Sequence, residues 1–151
     1  MSVAIPVHMK RGLFGREAPS VITVGPDRTA FIPIDKKLYE SIVAPYKQAT
    51  YLDRLSGTMH AFAEYADKIA KDPLHEVMSR HPGSFAVENS EVQSFVLYIG
   101  SDEQTGRRED FFRFEIRFRR GKFRGSVDKG TNVSGKAEFL GEVFGHRFRM
   151  D

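Results

Sequence analysis

Between Glu109 and Val127 apolar and charged positions alternate. Phe112, Phe114, Ile116 and Phe118 fall on one phase, and Arg113, Glu115, Arg117 and Arg119 on the other. A period of two describes an antiparallel strand with one dry face and one charged face. The pair Gly121-Lys122 is predicted to turn the chain into a second strand, with Phe123 and Val127 on the dry phase and Lys122, Arg124 and Ser126 on the wet one. Energetics decide which phase is inside. Turning the phenylalanines outward would bury Arg113, Glu115 and Arg117, and an unpaired buried charge is far more costly than an exposed ring.

The same pattern organises the rest of the chain. Val3 to Met9 is predicted to form a first strand, and Lys10 to Ala18 a glycine-containing loop. Ser20–Val24 and Thr29–Ile34 read as a hairpin around Gly25-Pro26-Asp27-Arg28, with Pro33 marking a strand end or an edge. From Asp35 the period becomes helical. Leu38, Tyr39, Ile42 and Val43 follow an Asp35 cap and stop at Pro45, and Leu52, Leu55, Met59, Phe62, Ala66 and Ile69 form a longer stripe that ends before Asp72-Pro73. A short helix is expected over Leu74–Arg80, stopped by Pro82-Gly83. Strand patterns return at Phe85–Glu88 and at Val92–Gly100, where the run of apolar residues predicts burial on both faces for part of the length. Ser101–Arg108 and Asp128–Gly135 read as polar loops. Phe139, Leu140, Val143 and Phe144 then mark a terminal amphipathic helix of about three turns, with Gly145 at its C-terminal cap and His146–Met150 as an extended tail.

These elements predict an α+β domain spanning 1–151: about seven mostly antiparallel strands in a bent sheet or partly open barrel, a helical insertion at roughly 35–81 after the third strand, and a closing helix. Another antiparallel sheet packed on helices is the alternative. A chain of 151 residues can bury a full core without staples.

Composition narrows the function. The chain has no cysteine, which removes disulfides, thiolate metal sites and cysteine nucleophiles and is compatible with a reducing, cytoplasmic setting. No segment approaches the about 20 apolar residues needed to cross a bilayer. Lys10 and Arg11 follow the short apolar stretch Val3–Val7, the reverse of a secretory signal. The net charge is only +3, but the window from Arg107 to Arg124 holds eight basic residues against Glu109, Asp110 and Glu115. Positive charge therefore collects on one hairpin.

Candidate chemistry is sparse. His75-Glu76-Val77-Met78-Ser79 opens like a zinc-protease helix, but Ser79 stands where the second histidine is required. His60 and Glu64 share a helix face at i, i+4, an arrangement met more often as a solvated pair than as an acid/base site. Phosphate-loop and nucleophile-elbow motifs are absent, and the acidic residues are scattered. No catalytic residue, metal ligand set or cofactor is assigned. With its phenylalanines inside, the hairpin lacks the base-stacking platform of a sequence-specific nucleic-acid binder, and binding through its arginines alone would be salt-sensitive and nonspecific.

Two binding segments remain. Lys10, Arg11, Phe14 and Arg16 place basic residues around an apolar pair on a glycine-hinged loop, suited to a protein groove or an anionic membrane. Arg113, Arg117, Arg119 and Arg124 form the arginine stripe.

The layout resembles the pleckstrin-homology-like superfamily, particularly its bacterial members. Val21–Ile34 matches its early strand and hairpin, Val87-Glu88-Asn89-Ser90-Glu91-Val92-Gln93-Ser94-Phe95 its middle strand, and Phe139–Gly145 its closing helix. The inserted helices from Asp35 to Arg80 depart from the usual compact pattern. The resemblance implies a bent barrel plugged by the terminal helix, and a binding module rather than an enzyme. Of the basic positions used by phosphoinositide-binding members, Lys10 and Arg16 are present but Ala18 replaces the next, so the resemblance implies protein or peptide binding instead. The expectation is thus a noncatalytic module for a protein partner or its own copies. Binding to an anionic polymer or membrane surface is the alternative, and a small-molecule site or enzyme pocket between helices and sheet is the third.

Overall fold

The computed structural model describes residues 2–10, 17–46, 51–102 and 109–151; side chains at 10, 46, 51–59, 101, 102, 109 and 110 lie outside the description. Arg11, Phe14 and Arg16 fall outside it altogether. The order is β1 (Val3–Lys10), β2 (Glu17–Val24), β3 (Arg28–Pro33), α1 (Lys36–Val43), α2 (Tyr51–Lys71), α3 (Leu74–Arg80), β4 (Phe85–Glu88), β5 (Val92–Asp102), β6 (Glu109–Phe118), β7 (Gly121–Val127), α4 (Val133–Phe144) and β8 (Phe148–Met150). The strands form one sheet in the order β4-β3-β2-β1-β7-β6-β5-β8, antiparallel everywhere except between β5 and β8. This is the α+β architecture that the alternation predicted, including the helices after the third strand and the closing helix.

The sheet is strongly bent. In the strand order β3 and β7 are three neighbours apart, about 14 Å along a flat sheet. The rings of Phe31 and Phe123 are nevertheless only 4.8 Å apart, and Phe85 and Phe118 complete the same cluster. The sheet must curl until its first strands meet the tip of the β6–β7 hairpin. Its concave side holds Val7, Ile22, Phe31, Phe95, Phe114 and Ile116, and α4 plugs it with Val133, Leu140 and Phe144. Asn132 caps α4 by accepting a 3.1 Å hydrogen bond from the Gly135 amide, and Gly145, at φ 59°, releases the chain at the other end.

A second core covers the convex side of the first half only. Ala4, Val21, Ala30 and Ile32 face outward from β1–β3 and meet Phe62, Ala66 and Ile69 of α2 and Val77 of α3. Asp35 caps α1 through the Leu38 amide at 2.7 Å, as its position before the helical stripe predicted. Helices on one side and the α4-filled concave core on the other leave β1–β3 buried on both faces, whereas β6 and β7 keep Arg113, Arg117, Lys122 and Arg124 exposed.

Four local readings change. The β6–β7 turn is Arg119-Arg120, two residues before the predicted Gly121-Lys122, because Phe118 and Gly121 still pair across the ladder. Pro33 ends β3 as expected, but the edge alternative falls, since the strand lies between β2 and β4; the missing amide is tolerated because the ladder with β2 stops at Ser20–Pro33. The tail contributes an eighth strand, three residues long, pairing in parallel with Phe95–Leu97. Finally, β5 is not buried on both faces: Val96 is half-buried and Ile99 is 58% exposed. Among the described residues no helix is long and apolar enough to cross a membrane.

Candidate functional site

The register of the second half of the sheet fixes how its outward side chains stand. One row runs Tyr98, Arg113, Ser126; the next Val96, Glu115, Arg124; the third Ser94, Arg117, Lys122. Arg149 of β8 stands opposite Val96 at the far edge. These positions are the wet phase of the alternation, so the pattern that buried Phe114 and Ile116 also gathers the cations onto one surface.

Each cation has a different environment. Arg117 Nε donates to Glu115 Oε1 at 2.8 Å. That hydrogen bond, helped by the charges of Arg117, Lys122 and Arg124, holds the Glu115 carboxyl below its ordinary value. Arg113 lies flat, its guanidinium carbon 5.1 Å from the centre of the Phe111 ring. Gly100 makes room for this pose, since a β-carbon there would meet Arg113 Cδ at 3.1 Å. Arg119 and Arg120 occupy the hairpin turn, which is anchored by a 3.2 Å bond from the Arg119 amide to the Glu91 carbonyl. Lys122 and Arg124 are exposed beside Glu115.

The structure brings the end of β1, where the first basic segment begins, alongside the cations of β7. Met9 pairs with Gly125, the residue after Arg124, and β1 ends one residue later at Lys10, beside the middle of β7. Lys10 pairs with Glu17 across β1–β2, and Arg11, Phe14 and Arg16 lie between them in sequence, outside the described residues. Sequence spacing could not show this convergence, because it depends on a strand pair more than a hundred residues apart.

Histidine chemistry resolves into structure. His81 is buried; its Nδ1–H donates to the Val77 carbonyl at 2.7 Å, which leaves Nε2 to accept the Tyr65 hydroxyl at 3.0 Å. Both nitrogens are engaged, so neither can ligate a metal. Among the described residues no cluster of three or more His, Cys, Asp or Glu could hold one. His8 is the residue that sequence reading passed over. On the outer face of β1, its Nε2 lies 3.1 Å from Asp128 Oδ1, and its ring meets Tyr39 and Phe62 edge to face. Burial, with the Asp128 charge as the lesser cause, raises the pKa of the Tyr39 hydroxyl. An isolated histidine in an apolar strand gave no sign of a partner so distant in sequence.

Two grooves adjoin α2. One, of about 550 Å³, is lined by His60, Glu64, Asp67, Asn132 and Lys136, and the Lys136–Asp67 ion pair crosses it at 2.9 Å. His60 and Glu64 thus share a groove wall, and the Tyr51 side chain lies outside the description. The other, of about 1000 Å³, lies between the end of α2 and the β2–β3 turn. No protein-family model, curated protein or solved structure matches the chain.

Proposed function

We propose that the chain is a noncatalytic binding module, acting in the cytoplasm, whose basic sheet face and adjoining β1–β2 end dock an acidic segment of a partner protein. The up-and-down order β4-β3-β2-β1-β7-β6-β5 followed by a plugging helix supports a pleckstrin-homology-like barrel as its frame. The observation that carries the choice of partner is Glu115. Its carboxylate stands among Arg117, Lys122 and Arg124 and is ionised at neutral pH, so the face reads as a mixed pattern with an anion at its centre. A uniformly anionic membrane or polyphosphate laid on that face would meet this carboxylate, whereas a protein segment can place a cation or a hydroxyl opposite it. Arg113 and Arg117 are also held in place by Phe111 and Glu115, which favours shape-selective contact over diffuse attraction.

A peptide library displayed on phage and panned on the wild-type protein tests this reading. Acidic peptides are expected to be enriched, and their binding should be lost with Arg124→Glu and Lys122→Glu while the fold is retained. Failure to enrich any peptide, together with tight binding to phosphatidylserine vesicles or heparin that the same variants abolish, would replace the protein partner with an anionic surface.

A further inference from the structure

The larger groove lies at the opposite end of β1 from the basic face, where α2 ends over the β2–β3 turn. Its floor is apolar, formed by Ile69, Ala70 and Leu74, and interrupted by Thr23, which is only 6% exposed and whose hydroxyl has no hydrogen-bond partner. Most of the polar groups on the walls are already matched. Arg28 is bound to Glu88 at 3.2 Å, Asp72 to Arg80 at 2.9 Å, and the Ser2 hydroxyl donates to the Ala70 carbonyl at the helix end. Among the described residues two charged side chains of the groove carry no hydrogen bond or ion pair: Asp27 on the turn and Lys71 on the helix.

We infer that this groove binds a small zwitterion with an apolar side chain, either a free amino acid or a short peptide. An ammonium on the ligand answers Asp27, a carboxylate answers Lys71, and the aliphatic side chain covers Ile69 and Leu74. The Thr23 hydroxyl serves as the buried polar contact that fixes orientation. A purely cationic ligand would leave Lys71 unmatched, and a purely anionic one would leave Asp27 so. The volume of about 1000 Å³ accommodates up to a short peptide.

Thermal shift titrations would use L-leucine and the tripeptide Ala-Leu-Ala, with N-acetyl-leucine and leucinamide as analogues lacking one charge. At least one zwitterion should raise Tm in a saturable way while the blocked analogues do not, and the stronger of the two identifies the source. Asp27→Asn and Lys71→Met, both on exposed positions, should each weaken binding by about tenfold or more. Thr23→Val, which keeps the shape and removes the hydroxyl, should fold normally and also bind more weakly. The inference fails if neither zwitterion shifts Tm, if the blocked analogues act equally well, or if the three variants bind as the wild type does.

Discussion

Gly125 packs against the carbonyl oxygen of His8 so closely that no β-carbon fits between them; a methyl group there would also stand 2.9 Å from Met9 Cα. The obstacle is backbone, which cannot swing aside as a side chain does. We expect Gly125→Ala to destabilise the protein by about 3 kcal/mol or more, read from urea denaturation. Gly141→Ala is the matched control. Its β-carbon would lie 4.0 Å from Phe148 Cδ1 within α4, so the better helix former should leave stability unchanged or raise it by up to about 1 kcal/mol. Equal effects of the two changes would show that the approach of β1 to β7 is not tight.

The inward and outward phases of β6 can be tested against each other. Phe114 is fully buried among the concave core, and Phe114→Ala should cost about 3 to 5 kcal/mol. Arg117→Glu should leave the fold intact, because the side chain is exposed and its bond to Glu115 is a surface pair. Unchanged thermal stability of the first, or loss of folding in the second, would overturn the assignment of faces.

Arg147 ties the end of the chain to the start of β5. Its Nη1 donates to the Asn89 carbonyl at 2.8 Å and the Val92 carbonyl at 2.7 Å, and its Nε to the Phe144 carbonyl at 3.2 Å. Arg147→Ala should therefore destabilise by about 2 to 3 kcal/mol. Lysine, a single point of charge, should recover only part of this. Full recovery by Arg147→Lys in a melting curve would mean that charge near the α4 terminus matters more than the forked geometry.

Stability should fall at alkaline pH, and Tyr39 should account for part of the fall. Its hydroxyl resists ionisation in the folded state because it is buried and lies near Asp128. Below the ordinary tyrosine value of about 10 the group is neutral in both states, so its full contribution is present there. As pH rises through that value toward the raised folded one, the unfolded chain ionises first and stability is lost. In Tm measurements from about pH 8 to about pH 11, Tyr39→Phe should show a shallower decline. Tyr65, raised chiefly by burial, should leave a residual slope. Identical slopes for wild type and variant would remove Tyr39 from the account.

What the sequence made legible is what depends on neighbours along the chain. Alternation placed Phe112, Phe114, Ile116 and Phe118 inside, helical spacing placed Phe62, Ala66 and Ile69 on one face, and Asp35 and Gly145 mark helix ends by chemistry that acts within one turn. The cations of the basic face were legible for the same reason. The rest depends on distant pairing. The bend that brings Phe31 to Phe123, the His8–Asp128 contact and the three-residue β8 leave no periodic trace, since each is created by another segment's position. The zwitterion groove was illegible for a different reason: Thr23 reads as an ordinary strand threonine, and only the arrival of α2 above it leaves its hydroxyl unpaired.

The seam between β1 and β7 joins the two halves of the sheet over three residue pairs, and residues as far apart in sequence as 120 positions meet beside it. Hairpins on either side close short loops, whereas this seam closes nearly the whole chain and bears the greatest entropic cost of any pairing in the sheet. Pulse-labelled hydrogen exchange should accordingly protect the amides of β2–β3 and β5–β6 before that of Asp128, which donates across the seam to the Pro6 carbonyl at 2.8 Å. With the seam closing last, the surface that β1 and β7 build together at Met9 and Gly125 belongs to the finished protein and to no partly folded precursor.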